Sequence, residues 1–102
     1  MPRYQGENLT HNLGLVAALR RVAAARGASP AQLAIAWVGS CGVDIVPLVG
    51  TTNRAHLAEA IAAAAIRIDP ETLAAIEAAV PLGQVAGTRY DAEQMAHLDS
   101  ER

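Results

Sequence analysis

The sequence predicts a mostly helical member of the α/β class, in which helices flank one strand buried on both faces. Three observations lead there. Apolar residues recur at helical spacing in several capped segments. Between two of those segments, Asp44–Gly50 (DIVPLVG) changes period to a short β-branched run with glycine on either side, the pattern of a strand in a parallel sheet. Third, the 102 residues are 52% hydrophobic but only 3% aromatic, and much of the apolar fraction is alanine, which buries little area. A chain of this size already buries only about 60–70% of its surface. The composition therefore expects a larger body to pack against.

Residues 1–8 are polar and contain Pro2 and Gly6, so they read as an extended lead-in. Asn8 or Thr10 can cap a first helix, along which Leu9, Leu13, Val16 and Ala23 share a face. Arg20, Arg21 and Arg26 gather toward its C-terminal end, where the helix dipole favours cations, and Gly27 stands where a left-handed cap falls. Ser29-Pro30-Ala31-Gln32 starts a second helix: serine caps, proline is tolerated at the first position, and Gln32 completes a capping box. This helix carries Leu33, Ala34, Trp37 and Val38, with Trp37 expected in its core, and ends near Gly39 and Gly42.

The strand Asp44–Gly50 follows, with Pro47 marking an irregular or edge position because proline cannot donate to a ladder. Thr51-Thr52-Asn53 cap a third helix in which Leu57, Ile61, Ala64 and Ala65 share a face. Asp69-Pro70-Glu71 starts a fourth, with Leu73, Ile76 and Val80 as its stripe and Pro81 as its stop. The segment GQVAGTRY leads to Asp91 and a short last helix with Met95 and Leu98. One strand cannot satisfy its own backbone donors and acceptors, so the pattern is one βα unit of a parallel fold without its neighbours.

The same inventory excludes several functions. The formal net charge is −2, all eight basic residues are arginine, and Arg20-Arg21 is their one adjacent pair, so no basic face for nucleic acid is expected. No apolar run approaches the ~20 residues of a membrane helix. The N-terminus lacks the apolar core of a signal peptide, and a cytoplasmic location follows by default. Cys41 stands alone, without a disulfide or thiolate-metal partner, and is expected as a small buried filler. His11, His56 and His97 lack metal-ligand spacing and read as surface residues, as do Glu59, Glu71 and Glu77 on their helix faces.

The ordered segments PRYQGEN, SPAQLAIAWV, DIVPLVGTTNRAHLAEAI, RIDPETLAAIEAAVP and AGTRYDAEQMAHLD resemble the last part of bacterial aldo-keto reductases. The resemblance covers nearly the whole chain, and PAQLAIAW and IVPLVGTTNRAHLAE discriminate best. It implies the C-terminal segment of a (β/α)8 TIM barrel, a fold of roughly 250 residues, with residues 1–102 supplying the last strand, flanking helices and tail. It also implies NADP(H)-dependent reduction of aldehydes and ketones by the intact barrel.

In such barrels ligands bind at the C-terminal strand ends. Gly50, Thr51, Thr52 and Asn53 lie between strand end and helix start, where free amides make an anion site and Arg54 can offer a planar fork to a phosphate. By resemblance these residues hold the adenosine 2′-phosphate of NADP(H), with Glu59 on the adenine side. His56 and Ala60 depart from a basic residue and an asparagine common among relatives, which leaves the choice between NADPH and NADH open.

The family's catalytic tetrad of Asp, Tyr, Lys and His lies on earlier strands. This chain has no lysine, so no catalytic residue is assigned, and Tyr4 and Tyr90 fall outside the tetrad segments. The resemblance places the pyrophosphate-binding loop before Met1. Nicotinamide cofactor and carbonyl substrate are thus expected partners only within an intact barrel, and self-association through exposed apolar faces is expected without one. Two alternatives stay open: a truncated gene product, and a stand-alone helical interaction module that kept the sequence without the activity. From the residues alone, Thr51-Thr52-Asn53 reads as a plain helix cap, and the cofactor reading comes from the resemblance.

Overall fold

The computed structural model describes residues 1–97. Pro2–Tyr4 forms a single 3-10 turn, followed by α1 (Gly6–Ala25), α2 (Pro30–Ser40), α3 (Arg54–Ala62), a 3-10 turn over Ala63–Ala65, α4 (Pro70–Ala79) and the short α5 (Ala92–Met95). Leu98, expected on the last helix, lies outside the described residues. Helix α1 packs against both α2 and α4, and α2 packs against α3. The meeting of the first three makes the core. Ala23, Leu33 and Ile76 are buried there, with Leu19, Val22 and Ile68 packed around them. The core is small for this length. The radius of gyration is 14.8 Å, against about 13 Å for a compact domain of 100 residues.

Local sequence explains most of the helix ends. The Ser29 side chain accepts from the Gln32 N–H at 3.1 Å, and the Ser29 N–H donates to Gln32 Oε1 at 3.0 Å, which is the capping box in full. Asp69 Oδ1 accepts from the Thr72 N–H at 2.7 Å, and Asp91 Oδ1 from the Gln94 N–H at 2.9 Å. At the end of α1, Gly27 adopts φ 67°. Its N–H donates to Ala24 O at 3.1 Å and that of Ala28 to Ala23 O at 3.0 Å. This pair is a Schellman cap, which needs the left-handed residue that glycine supplies without steric cost.

Four expectations are corrected. Helix α1 starts earlier than either Asn8 or Thr10, with Gln5 as its N-cap and no side-chain cap bond. Asn8 instead donates back to Pro2 O at 3.2 Å, and the Thr10 hydroxyl donates to Gly6 O at 3.4 Å. The strand over Asp44–Gly50 does not form, and no strand occurs among the described residues. Leu48 is 97% exposed and Val46 also faces solvent, because no neighbouring strand is present to pair the backbone and cover the side chains.

Trp37 lies at the surface, 37% exposed, on the rim of a cavity of about 180 Å³ that it shares with Leu19, Leu33, Ala34, Ile76 and Val80. Leu57 and Ile61 share a face of α3, yet that face is exposed. Both misplacements have one physical cause: an apolar stripe specifies that a face is to be buried but not what will bury it.

The junction of α1 and α4 is electrostatic as well as apolar. Thr72 holds the Asp69 carboxyl below its ordinary value of 3.8, first through its hydroxyl and then through its N–H, with Arg26 and Arg67 contributing as nearby cations. The Thr72 hydroxyl is buried and reaches no strict hydrogen-bond geometry, so its influence is that of a close dipole. The Arg26–Asp69 ion pair spans 3.7 Å between partly exposed side chains, a kind of pair that contributes little by itself.

A carboxylate whose folded-state pKa is depressed stabilises the fold above its unfolded value and loses that contribution as pH falls through the folded one. Acid titration followed by far-UV circular dichroism should therefore show helix loss beginning below pH 3.8, and Asp69→Asn should remove that part of the acid limb while retaining a competent cap. Superimposable acid limbs in the two proteins would show that Asp69 is not the group responsible.

Candidate functional site

The segment singled out in the sequence does form a cleft. The turn before α3 and the start of α2 enclose about 450 Å³, lined by Ala31 and Ile35 from α2, by Val49, Gly50, Thr51, Thr52 and Asn53 from the connecting segment, and by His56, Glu59 and Ala60 from α3. That volume falls within the range of small-molecule sites. Gly50, Thr51, Thr52, Asn53 and Glu59 thus share one concavity. Space in front of Gly50 is open, since a Cβ built there meets nothing within 4 Å. Arg54 does not line the cleft. It is the first residue of α3, exposed, and its guanidinium forms no ion pair among the described residues.

The hydrogen bonds show how this turn is built. The Thr51 hydroxyl accepts from the Asn53 N–H at 3.2 Å and donates to Asn53 O at 3.1 Å, closing a tight turn. Asn53 Oδ1 accepts from the N–H groups of Ala55 at 2.8 Å and His56 at 3.2 Å. The Leu57 N–H donates to Asn53 O at 2.9 Å. The amides expected to be free for an anion are therefore already engaged by the cap at Ala55 and His56.

Glu59 was expected as a solvated charge facing an adenine. It is half-buried, and its carboxylate accepts a hydrogen bond from the Ser29 hydroxyl, while its backbone carbonyl accepts from Gln32 Nε2 at 3.0 Å. The two residues of the α2 capping box thus also fasten the second turn of α3. Sequence reading identified Ser29 and Gln32 as a cap and missed this second task. Nothing in the local pattern names a partner 30 positions away. His56 was read as a surface histidine; it is exposed and also lines the cleft.

The remaining candidates carry less. A larger cleft of about 680 Å³ is lined mostly by aliphatic side chains from α2, the 45–50 segment, α3 and the stretch after it, Ile35, Pro47, Val49, Ile61 and Ile66 among them, with Ser40 and Arg67 as its polar lining. Cys41 is exposed, not buried as expected, and its thiol donates to Trp37 O at 3.3 Å with no base beside it. The cysteine follows α2 directly, outside the core, because α2 ends at Ser40. His11, His56 and His97 are all exposed, and no group of three or more His, Cys, Asp or Glu side chains among the described residues could hold a metal ion. No described helix is long and apolar enough to cross a membrane.

Comparison with known proteins bears on the origin of this arrangement. The chain is 44% identical over 89 residues to a probable aldo-keto reductase 1 of Glycine max. It is 37% identical over 89 residues to the Schizosaccharomyces pombe aldo-keto reductase yakc, whose name carries NADP(+). Each match covers 87% of this chain and 26% of the relative, so the chain spans about a quarter of the length of these proteins. No solved structure gives a significant match. The model of the aldo/keto reductase family matches residues 2–81, a stretch that contains α1 to α4 and the whole cleft, and on that match the chain belongs to the aldo/keto reductase family.

Proposed function

We propose that this chain supplies the adenosine 2′-phosphate end of an NADP(H) site to a carbonyl-reducing barrel and contributes nothing to the catalytic tetrad. The observation that carries this reading is the cleft before α3, which gathers Gly50, Thr51, Thr52, Asn53 and Glu59, with the Arg54 guanidinium next in sequence and in no ion pair among the described residues. The nicotinamide, when bound, supplies hydride for the reduction of an aldehyde or ketone. The residues of this chain bind and orient the far end of that cofactor. With no lysine, the chain cannot complete the tetrad that the family resemblance implies. In the completed barrel, Asp44–Gly50 pairs as the last strand, which buries Val46 and Leu48 and sets Gly50 at a C-terminal strand end.

A second reading has its own support. Asn53 Oδ1 already engages the Ala55 and His56 amides, which is all that a plain helix cap requires. Arg54→Ala separates the two in a barrel completed by the front part of a homologous reductase. A charged hydrogen bond contributes about 1.5–3 kcal/mol, so the variant should bind NADPH roughly tenfold or more weakly, at about 1.4 kcal/mol per tenfold. NADH lacks the 2′-phosphate and its affinity should barely change. Equal losses for both cofactors, or none for either, would leave Arg54 a surface charge and favour the cap.

A further inference from the structure

The segment between α4 and α5 follows α1 without entering the core. Leu82 and Val85 are exposed, Ala86 and Tyr90 are half-buried, and no fully buried residue belongs to it. Polar side chains hold it instead. Asn12 Oδ1 accepts from the Ala86 N–H at 2.7 Å, and Asn12 Nδ2 donates to Ala86 O at 2.8 Å and to Arg3 O at 3.1 Å. His11 Nε2 donates to Gln84 O at 2.6 Å, and Arg3 Nε to Gly87 O at 3.0 Å.

Every one of these contacts on the segment is made to its backbone. The Asn12 amide pairs with residue 86 as a neighbouring strand would, one donor and one acceptor each way. Fit at the next residue is close. Gly87 has φ 80°, and a Cβ there would lie 2.7 Å from Asn8 Nδ2 and 3.1 Å from the Arg3 N.

We propose that residues 82–90 form a strap latched to α1 by Asn12, and that it opens as a unit while the helical body stays folded. A segment held by a few side-chain hydrogen bonds, with Ala86 and Tyr90 only half-buried and no residue fully buried, belongs to the low end of the local stability range. The latch acts on one short stretch, so losing it releases the strap without touching the Ala23–Leu33–Ile76 core. His11 assists through a single bond and Arg3 through another; Asn12 makes two to the strap and a third to Arg3 O, and so sits between the strap and the first turn.

Limited trypsin digestion of the whole chain reads this directly, because cleavage of an opened segment tracks its open population when reclosing is fast. Arg89 reports the strap, and Arg20 and Arg21 within α1 report the body. Asn12→Ala should raise cleavage after Arg89 about tenfold or more, as expected for the loss of its two hydrogen bonds to the strap. Cleavage at Arg20 and Arg21 and the far-UV helix signal should be unchanged. Gly87→Ala, which opens the strap from its own side, should give the same pattern. The proposal is overturned if Arg89 cleavage is unchanged in either variant. It is equally overturned if Arg20 and Arg21 are cut faster in step with Arg89, since strap and body would then unfold together.

Discussion

Leu33→Ala should abolish the cooperative thermal transition of the chain. Leu33 is 0% exposed and is the largest apolar side chain fully buried in the structure. It stands on the first turn of α2, where α1 and α4 converge, so its removal empties the one place that three helices share. Truncating a buried leucine to alanine costs about 2–5 kcal/mol, more where the surroundings cannot collapse into the space. Collapse is hindered here, because a cavity of about 180 Å³ already adjoins Leu33. Whole domains have only about 5–15 kcal/mol of stability, and a core of three buried side chains with three flanking ones places this chain low in that range. Thermal melting followed by circular dichroism checks the claim. An unchanged midpoint would mean that the helices are held by something other than this cluster.

Enlarging the core should be almost as damaging as emptying it. Ala23 is 0% exposed on the face of α1 that meets Leu33 and Ile76. The adjoining cavity does not reach it, so the extra methylenes of Ala23→Leu have no space to enter. Overpacking of this kind costs about 1–3 kcal/mol. Alanine and leucine differ little in helix propensity, so the loss reports packing and not backbone preference. Ala24→Leu is the control: Ala24 is exposed on the same turn, and substitutions at such sites usually stay within about 0.5 kcal/mol. Urea denaturation should therefore move the Ala23→Leu midpoint well below wild type and leave Ala24→Leu near it. Equal shifts would place the effect in the helix itself.

Elements whose signal is local were legible in the sequence. Ser29 with Gln32, Asp69 with Pro70, Asp91, and Gly27 each act on groups within five residues, and each does in the structure what its side chain or φ preference allows. Asn53 belongs with them. The start of α1 did not yield to this reasoning. Its first turn is tied by Asn8 and Asn12 to backbone carbonyls of the lead-in, and not by a capping side chain.

The segment 44–50 failed for a different reason. Its β-branched pattern encodes burial on two faces, but pairing is a property of neighbouring strands, and none occurs among the described residues. At the site, five of the six residues singled out from the sequence line one cleft, and Arg54 does not. The sequence did not reveal that Glu59 is fastened to Ser29 or that Asn53 occupies the α3 amides, because those depend on how α2 and α3 dock.

The exposed segment 44–50 has a consequence for chain-to-chain behaviour. A six- or seven-residue apolar stretch of high β propensity and low charge, laid open to solvent, is the material of cross-β stacking. Ile45, Val46, Leu48 and Val49 supply such a stretch here, and Leu48 is almost fully exposed. Pro47 stands in its middle. With no N–H and a fixed φ, it breaks the continuous row of donors that an in-register fibril requires. The proline that is out of place in the strand pattern of the sequence is thus a gatekeeper for the segment as it lies exposed here.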